Sequence, residues 1–240
     1  MTFEEVSAEA QGFVDLVASR TGRHLIQVVT VPEPAGAPDE LHFVRIVSWG
    51  YVLLNEAGSV MFKELARSLK SSRPEVSKTY QDGKRDIEAL RTMLSHNLAE
   101  ASRANERTRR IAEAWLLQNG APGNWPIRCN NLCRTLHAML LGLRGAFAQL
   151  CEEGEDGQVG VDQLLAAVDR AWPPHLFDGV VSSIAEEVGL PSLEAVEFRK
   201  PRQEEWMKLV ALFPTRAEAS EALERVIRAE MHRIFGPARG

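Results

Sequence analysis

The sequence has few of the features that would assign a protein to a class at first reading. It contains three cysteines in 240 residues, an odd and small number that excludes a disulfide framework. No apolar run reaches the roughly 18 residues of a membrane-spanning helix, and the N-terminus lacks the basic stretch of an export signal. We therefore expect a cytoplasmic protein that folds without disulfides.

The usual signatures of nucleotide and hydrolase sites are also missing. There is no glycine-rich phosphate loop, and the sequence context of a Ser-His-Asp triad or a metal hydrolase is absent. Cys129, Cys133 and His137 share one helical face, but zinc would need a fourth ligand and usually a cysteine pair in a loop. Leucines run alongside them, which favours core positions for both cysteines. We predict neither a metal nor another cofactor.

Charge is distributed unevenly along the chain. The net charge is −5, but residues 1–150 carry 18 basic and 16 acidic side chains, and residues 151–240 carry 10 and 17. A mildly basic N-terminal part can approach a polyanion such as RNA, whereas an acidic C-terminal part would repel one. A chance imbalance of ordinary surface charge remains the alternative interpretation.

Apolar residues recur at steps of three and four through most of the chain, which is typical of amphipathic helices. The capping boxes Thr2–Glu5 and Thr215–Glu218 predict two helix starts, and Asn124 is a plausible cap for a third. Leu25–Val31 is the only strand-like run. The sequence therefore predicts an all-α protein, built as an antiparallel helical bundle with a smaller helical C-terminal subdomain.

The longest apolar segment is Leu41–Leu69, which is apolar on two faces. Such a pattern predicts the central and most buried helix of the bundle. Gly58 lies within this pattern, where the lack of a side chain would let another helix come close.

The best candidate for a domain boundary is the acidic and glycine-containing stretch after the predicted bundle. It divides the chain into a helical domain at 1–151, a linker at 152–157 and a helical subdomain at 158–240. The sequence does not indicate a role for the last of these.

Arg91 and His96 combine a permanent cation with a titratable imidazole. An imidazole can transfer a proton to or from a ribose 2′-hydroxyl or a leaving oxygen near neutral pH. A guanidinium can donate several hydrogen bonds to a phosphate on which charge accumulates. These are the parts of a metal-free site for phosphodiester cleavage.

The sequence around this pair is similar to a group of little-characterised bacterial proteins of the HEPN superfamily. The similarity covers roughly Phe43–Leu150 and lies in Leu90-Arg91-Thr92, His96-Asn97-Leu98, Trp115, Asn119-Gly120, Pro122, Trp125 and Cys129. HEPN domains are helical bundles, and many are metal-independent ribonucleases of toxin–antitoxin and defence systems. The resemblance implies Arg91 and His96 as catalytic residues, and an isologous homodimer with a composite cleft.

The spacing of the motif is loose, and the chain contains a second match at Arg170 and His175 that two prolines interrupt. On a straight helix Arg91 and His96 would also lie about 140° apart around the axis and about 7.5 Å apart along it. The alternative interpretation is therefore structural. In it Arg91 forms a surface ion pair with Glu88, and His96 is a solvated residue.

A second basic cluster follows the motif. Arg103, Arg107 and Arg110 would share one helical face and could contact successive RNA phosphates, although a plain solvated surface accounts for them as well. Together with Asn97 they are the candidate RNA-binding residues.

Two functions follow from these observations. The first is a cytoplasmic, homodimeric endoribonuclease of a bacterial defence or toxin–antitoxin system, with RNA as substrate and a partner protein such as an antitoxin. The alternative is a non-catalytic helical module that dimerises or binds a partner. A nuclease predicts both motif side chains in one groove, whereas a binding module predicts an exposed apolar patch elsewhere.

Overall fold

The fold is all-α, as the periodicity predicts. A computed structural model describes residues 1–95, 103–152 and 154–236, and it contains no strand in those ranges. The first helices are α1 (Phe3–Thr21), α2 (Glu40–Val52), a π-helical turn (Leu53–Ala57), α3 (Ser59–Ser72), α4 (Pro74–Ser95), α5 (Arg103–Gln118) and α6 (Trp125–Glu152). They are followed by α7 (Gly154–Arg170), α8 (Pro174–Glu187), α9 (Ala195–Arg199), α10 (Gln203–Val210) and α11 (Arg216–Phe235).

The helices α1, α6 and α11 begin directly after the residues predicted to cap them. The Thr2 hydroxyl accepts from the Glu5 backbone N–H, and the Glu5 carboxylate accepts from the Thr2 N–H, which completes the capping box. The Thr215 side chain caps α11 through the Glu218 N–H, and the Asn124 side chain accepts from Ile127 at the start of α6. Each cap satisfies a donor that the first helical turn leaves free.

The chain forms two compact units, Met1–Leu164 and Leu165–Gly240. In the first unit α6 contacts α1, α2 and α4, and α4 also contacts α3 and α5. Aromatic rings join these helices, with Phe13 of α1 on Phe62 of α3 at 5.5 Å between ring centroids. The buried bundle around α6 therefore fixes the position of α4, which carries Arg91.

The second unit has a core of its own. Fully buried side chains of α8, α10 and α11 surround Trp206, and Trp172 and Phe198 close the cluster. Rings in contact at 5.2 Å and 6.0 Å join Trp172 to Phe177 and Phe177 to Trp206. No helix in the described ranges combines the length and apolar character needed to cross a bilayer.

The boundary between the units lies later than the composition suggested. Residues 154–157 of the predicted linker form the first turn of α7, and the division falls inside that helix, after Leu164. Val161 and Leu164 are buried in the first unit. The acidic and glycine-containing composition does not prevent residues 154–157 from joining α7.

The Leu41–Leu69 segment is strongly buried but is not one helix. α2 passes into the π-helical turn, and α3 begins only after Gly58. A β-carbon on Gly58 would overlap the ring of Phe62, four residues ahead in α3. Gly58 therefore makes room for a ring of the following turn and not for another helix, which corrects the sequence interpretation.

The strand-like run Leu25–Val31 forms no strand. Ile26 is buried, and the Gln27 N–H donates to the carbonyl of Ala57 at 2.8 Å, at the end of the π-helical turn. No extended segment in the described part of the chain lies beside it to form a ladder. This hydrogen bond and the buried Ile26 side chain anchor the connection instead.

Two glycine substitutions should have opposite effects on stability. Gly58→Ala should lower the free energy of unfolding by about 1–3 kcal/mol, because the added methyl overlaps the buried Phe62 ring. Gly145→Ala is the matched control: this glycine is exposed inside α6 and an added methyl would meet open space, so alanine should stabilise by about 0.5–1 kcal/mol. Urea unfolding of both variants measures the difference, and equal effects would contradict the packing described for Phe62.

Candidate functional site

Arg91 lies in the last turns of α4, where it is half-buried against α2. Its guanidinium carbon is 5.6 Å from the centre of the Tyr51 ring. A guanidinium at this distance from an aromatic face gains a cation–π attraction and loses much of its freedom to rotate. α2 therefore positions the cation that the sequence motif identified.

The Arg91 guanidinium forms no ion pair with the residues of α4 or of the other described helices. Glu88 binds Lys84 at 3.0 Å, and Arg91 has no ion pair within the described residues, so the Glu88–Arg91 pair of the alternative interpretation is not formed. The Nη1 atom of Arg91 is buried and has no hydrogen-bond partner there. A buried donor without a partner is costly, so an acceptor such as a phosphate oxygen would stabilise the guanidinium if it reached this atom.

His96 and Asn97 fall outside the described residues. The structure thus places Arg91 but does not describe the imidazole proposed to act with it. α4 is helical up to Ser95, directly before His96. Whether the two side chains act in one groove is tested by the substitutions proposed below.

Three arginines of α5 are exposed, as a solvated face or an RNA contact would require, and they are Arg103, Arg107 and Arg110. Arg110 pairs with Glu106 at 2.9 Å in a surface ion pair, which neutralises one member of the predicted cluster. Arg103 and Arg107 are exposed and have no partner in the described ranges. Two of the three arginines are therefore free to contact a polyanion from that part of the structure.

The π-helical turn contributes a residue that the sequence patterns do not single out. Asn55 in this turn accepts a hydrogen bond from Lys84 of α4, and its own Nδ2 is buried without a described partner. π-helical turns are rare and occur often at functional sites. The sequence pattern that points to this region is on α4. There Lys84, the partner of Asn55, precedes Glu88 and Arg91 at helical spacing along one face.

Two of the three cysteines of α6, Cys129 and Cys133, occupy the core. Burial raises the pKa of the Cys129 thiol to about 11 and that of Cys133 to about 12. The Cys129 thiol lies 3.8 Å from the carbonyl of Asp39, whereas Cys151 near the end of α6 is only half-buried. No group of three or more metal-binding side chains is present in the described ranges.

Thiol reactivity should follow this difference in burial. The attacking species is the thiolate, so a raised pKa keeps the thiols protonated and slow at pH 8, with rates that increase as the pH rises. Cys151 should react first with an aromatic disulfide reagent, and Cys129 and Cys133 only slowly until the protein is unfolded. Cys151→Ser should remove the fast phase and Cys133→Ser should not. A fast phase that survives in the Cys151→Ser variant would be inconsistent with the buried positions.

Comparison with protein-family models, with curated proteins and with solved structures found no match. The resemblance to the HEPN superfamily therefore stays a prediction from the motif. The functional proposal accordingly depends on the chemistry of Arg91 and its surroundings.

Proposed function

We propose that this protein is a metal-independent endoribonuclease that uses Arg91 and His96. The observation that supports the proposal best is the state of Arg91. Its guanidinium is held against Tyr51 with one buried donor that has no described partner. A permanently charged group kept in place and unpaired suits the stabilisation of a phosphate in the transition state.

In the proposed reaction the ribose 2′-oxygen attacks the adjacent phosphorus, and the bond to the 5′-oxygen breaks. The products are a 2′,3′-cyclic phosphate and a 5′-hydroxyl. His96 would transfer the proton between the attacking and leaving oxygens, and Arg91 would donate hydrogen bonds to the non-bridging phosphate oxygens. Neither role needs a metal ion, so the reaction should continue in EDTA.

The arginines of α5 would extend the substrate contacts. Arg103 and Arg107 are exposed and lack partners in the described part of the chain, and they could bind the phosphates that flank the cleaved bond. Such contacts carry no sequence information, so they would supply affinity and a strong dependence on salt.

The chain offers a matched control for the catalytic assignment. His96→Ala and Arg91→Ala should each reduce cleavage of labelled tRNA or mRNA by at least about 100-fold, because each removes a group that acts in the transition state. The corresponding changes Arg170→Ala and His175→Ala alter a pair with the same spacing that the break between α7 and α8 interrupts, and they should leave cleavage unchanged.

All assays are run with and without EDTA. Wild-type activity in the His96→Ala variant would contradict the mechanism, as would activity that EDTA abolishes and a divalent ion restores. If the wild-type protein cleaves no RNA at all, the binding-module alternative replaces the nuclease.

The proposed site also predicts the oligomeric state of the protein. If one chain cannot bring Arg91 and His96 together, the cleft needs a second copy, and the mass in solution should be near twice 26.7 kDa. Light scattering at micromolar concentration measures this mass. Mixing inactive Arg91→Ala with inactive His96→Ala chains should then restore part of the activity. A monomer that still cleaves RNA would exclude a shared cleft.

A further inference from the structure

A separate cavity of about 430 Å³ lies between α3 and α4. Its size falls within the range of about 300–1,000 Å³ that is usual for small-molecule sites. Arg91 and the described arginines of α5 do not line it. The lining side chains come from one face of each helix and are Lys63, Ala66, Arg67, Lys70, Tyr80, Gln81, Lys84, Arg85 and Glu88.

The walls of this cavity are predominantly basic. Five of the lining residues are lysine or arginine, and Glu88 is the one acidic residue among them. α3 and α4 lie side by side because only Arg73 connects them, so their basic faces meet. Cations arranged around a concave site concentrate a positive electrostatic potential at its centre, which attracts anions.

Not all of these cations are available to a ligand. Arg67 pairs with Glu64, Lys84 with Glu88, and Arg85 with Asp82 and Asp86. Lys63 and Lys70 are exposed, and neither has an ion pair or hydrogen bond within the described residues. They stand two turns apart on α3, which lets both ammonium groups reach one anion in the cavity.

Tyr80 gives an independent indication of a polar ligand. The side chain lines the cavity with only 3% of its surface exposed, and its hydroxyl has no hydrogen-bond partner in the described ranges. Burial, together with the nearby Glu88 carboxylate, raises the pKa of this phenol, so it remains a donor at neutral pH. Flexible lysine and arginine side chains line the cavity around it, so a ligand can reach the hydroxyl by a change of rotamer.

We propose that this cavity binds a small phosphate monoester that carries hydroxyl groups. Lys63, Lys70 and the Tyr80 hydroxyl would donate to the phosphate oxygens. Glu88 and Gln81 would accept hydrogen bonds from the hydroxyls of the ligand. The carboxylate of Glu88 disfavours an extended polyanion along the cavity, which favours a small molecule over an RNA strand.

Calorimetric titration of the full-length protein at physiological salt tests the site. The probes are inorganic phosphate, ribose 5-phosphate and AMP, with ribose as the neutral control. Ribose 5-phosphate or AMP should bind saturably with one site per chain, and ribose should not bind. Comparison of the dissociation constants of ribose 5-phosphate and AMP shows whether the site prefers a sugar phosphate or a nucleotide.

Substitutions in the cavity should weaken binding selectively. The double variant Lys63→Gln and Lys70→Gln should lower affinity by at least about tenfold, because each lysine is a charged donor to the phosphate. Lys200→Gln with Lys208→Gln is the matched control. These lysines lie in the second unit, are exposed, and change the net charge equally, so binding should be retained.

Tyr80→Phe separates a ligand role from a structural one. Removing an unpartnered buried hydroxyl should leave the melting temperature of the free protein unchanged or higher. The same change should reduce affinity for the phosphate monoester by about tenfold. A variant that loses stability in the free state and keeps full affinity would show a structural role and overturn the assignment of Tyr80.

The site as a whole would be refuted in two ways. Either none of the phosphate probes binds up to about 10 mM, or they bind the double variant as tightly as the wild type. Loss of RNA affinity alone in the double variant would also overturn the proposal, since it would identify an RNA groove. These results leave the ribonuclease proposal unaffected, because Arg91 does not line the cavity. Arg91→Ala should accordingly leave binding in this cavity intact.

Discussion

The close approach of α4 to α6 is the contact on which the rest of the N-terminal unit depends. Gly83 of α4 lies against Met139 of α6, where a methyl group would overlap the methionine sulfur. The buried leucines of α6 then face α4, α2 and α1 together. Because α4 is fixed in this way, it holds Arg91 against Tyr51 of α2 near its end and forms one wall of the basic cavity beside α3.

Local sequence signals predicted the helices well because they act within a few residues. Thr2, Asn124 and Thr215 cap helices whether or not the tertiary structure is known, since the donors they satisfy belong to the same turn. The same is true of Pro173 and Pro174, which separate α7 from α8. These features required no knowledge of packing.

The errors concern features that depend on how side chains pack in three dimensions. Gly58 was correctly placed in an apolar segment, but the sequence does not show that the neighbour filling its space is Phe62. Glu88 lies within reach of both Lys84 and Arg91 on the helix, and the choice of Lys84 depends on Tyr51, which draws Arg91 toward α2. Likewise, the composition of residues 152–157 does not show that the division between the two units falls inside α7.

The π-helical turn connects α2 and α3, which each contribute to one of the two candidate sites. Tyr51 supports Arg91 just before the turn, and Lys63 lines the basic cavity after it. A π-helical turn holds one residue more than the α-helical pattern. Loss of one residue between 53 and 57 would therefore replace the wide turn, closed by the bond from the Gly58 N–H to the Leu53 carbonyl, with an ordinary α-helical one. Such a deletion would alter the connection between the two sites without changing Tyr51, Arg91 or Lys63.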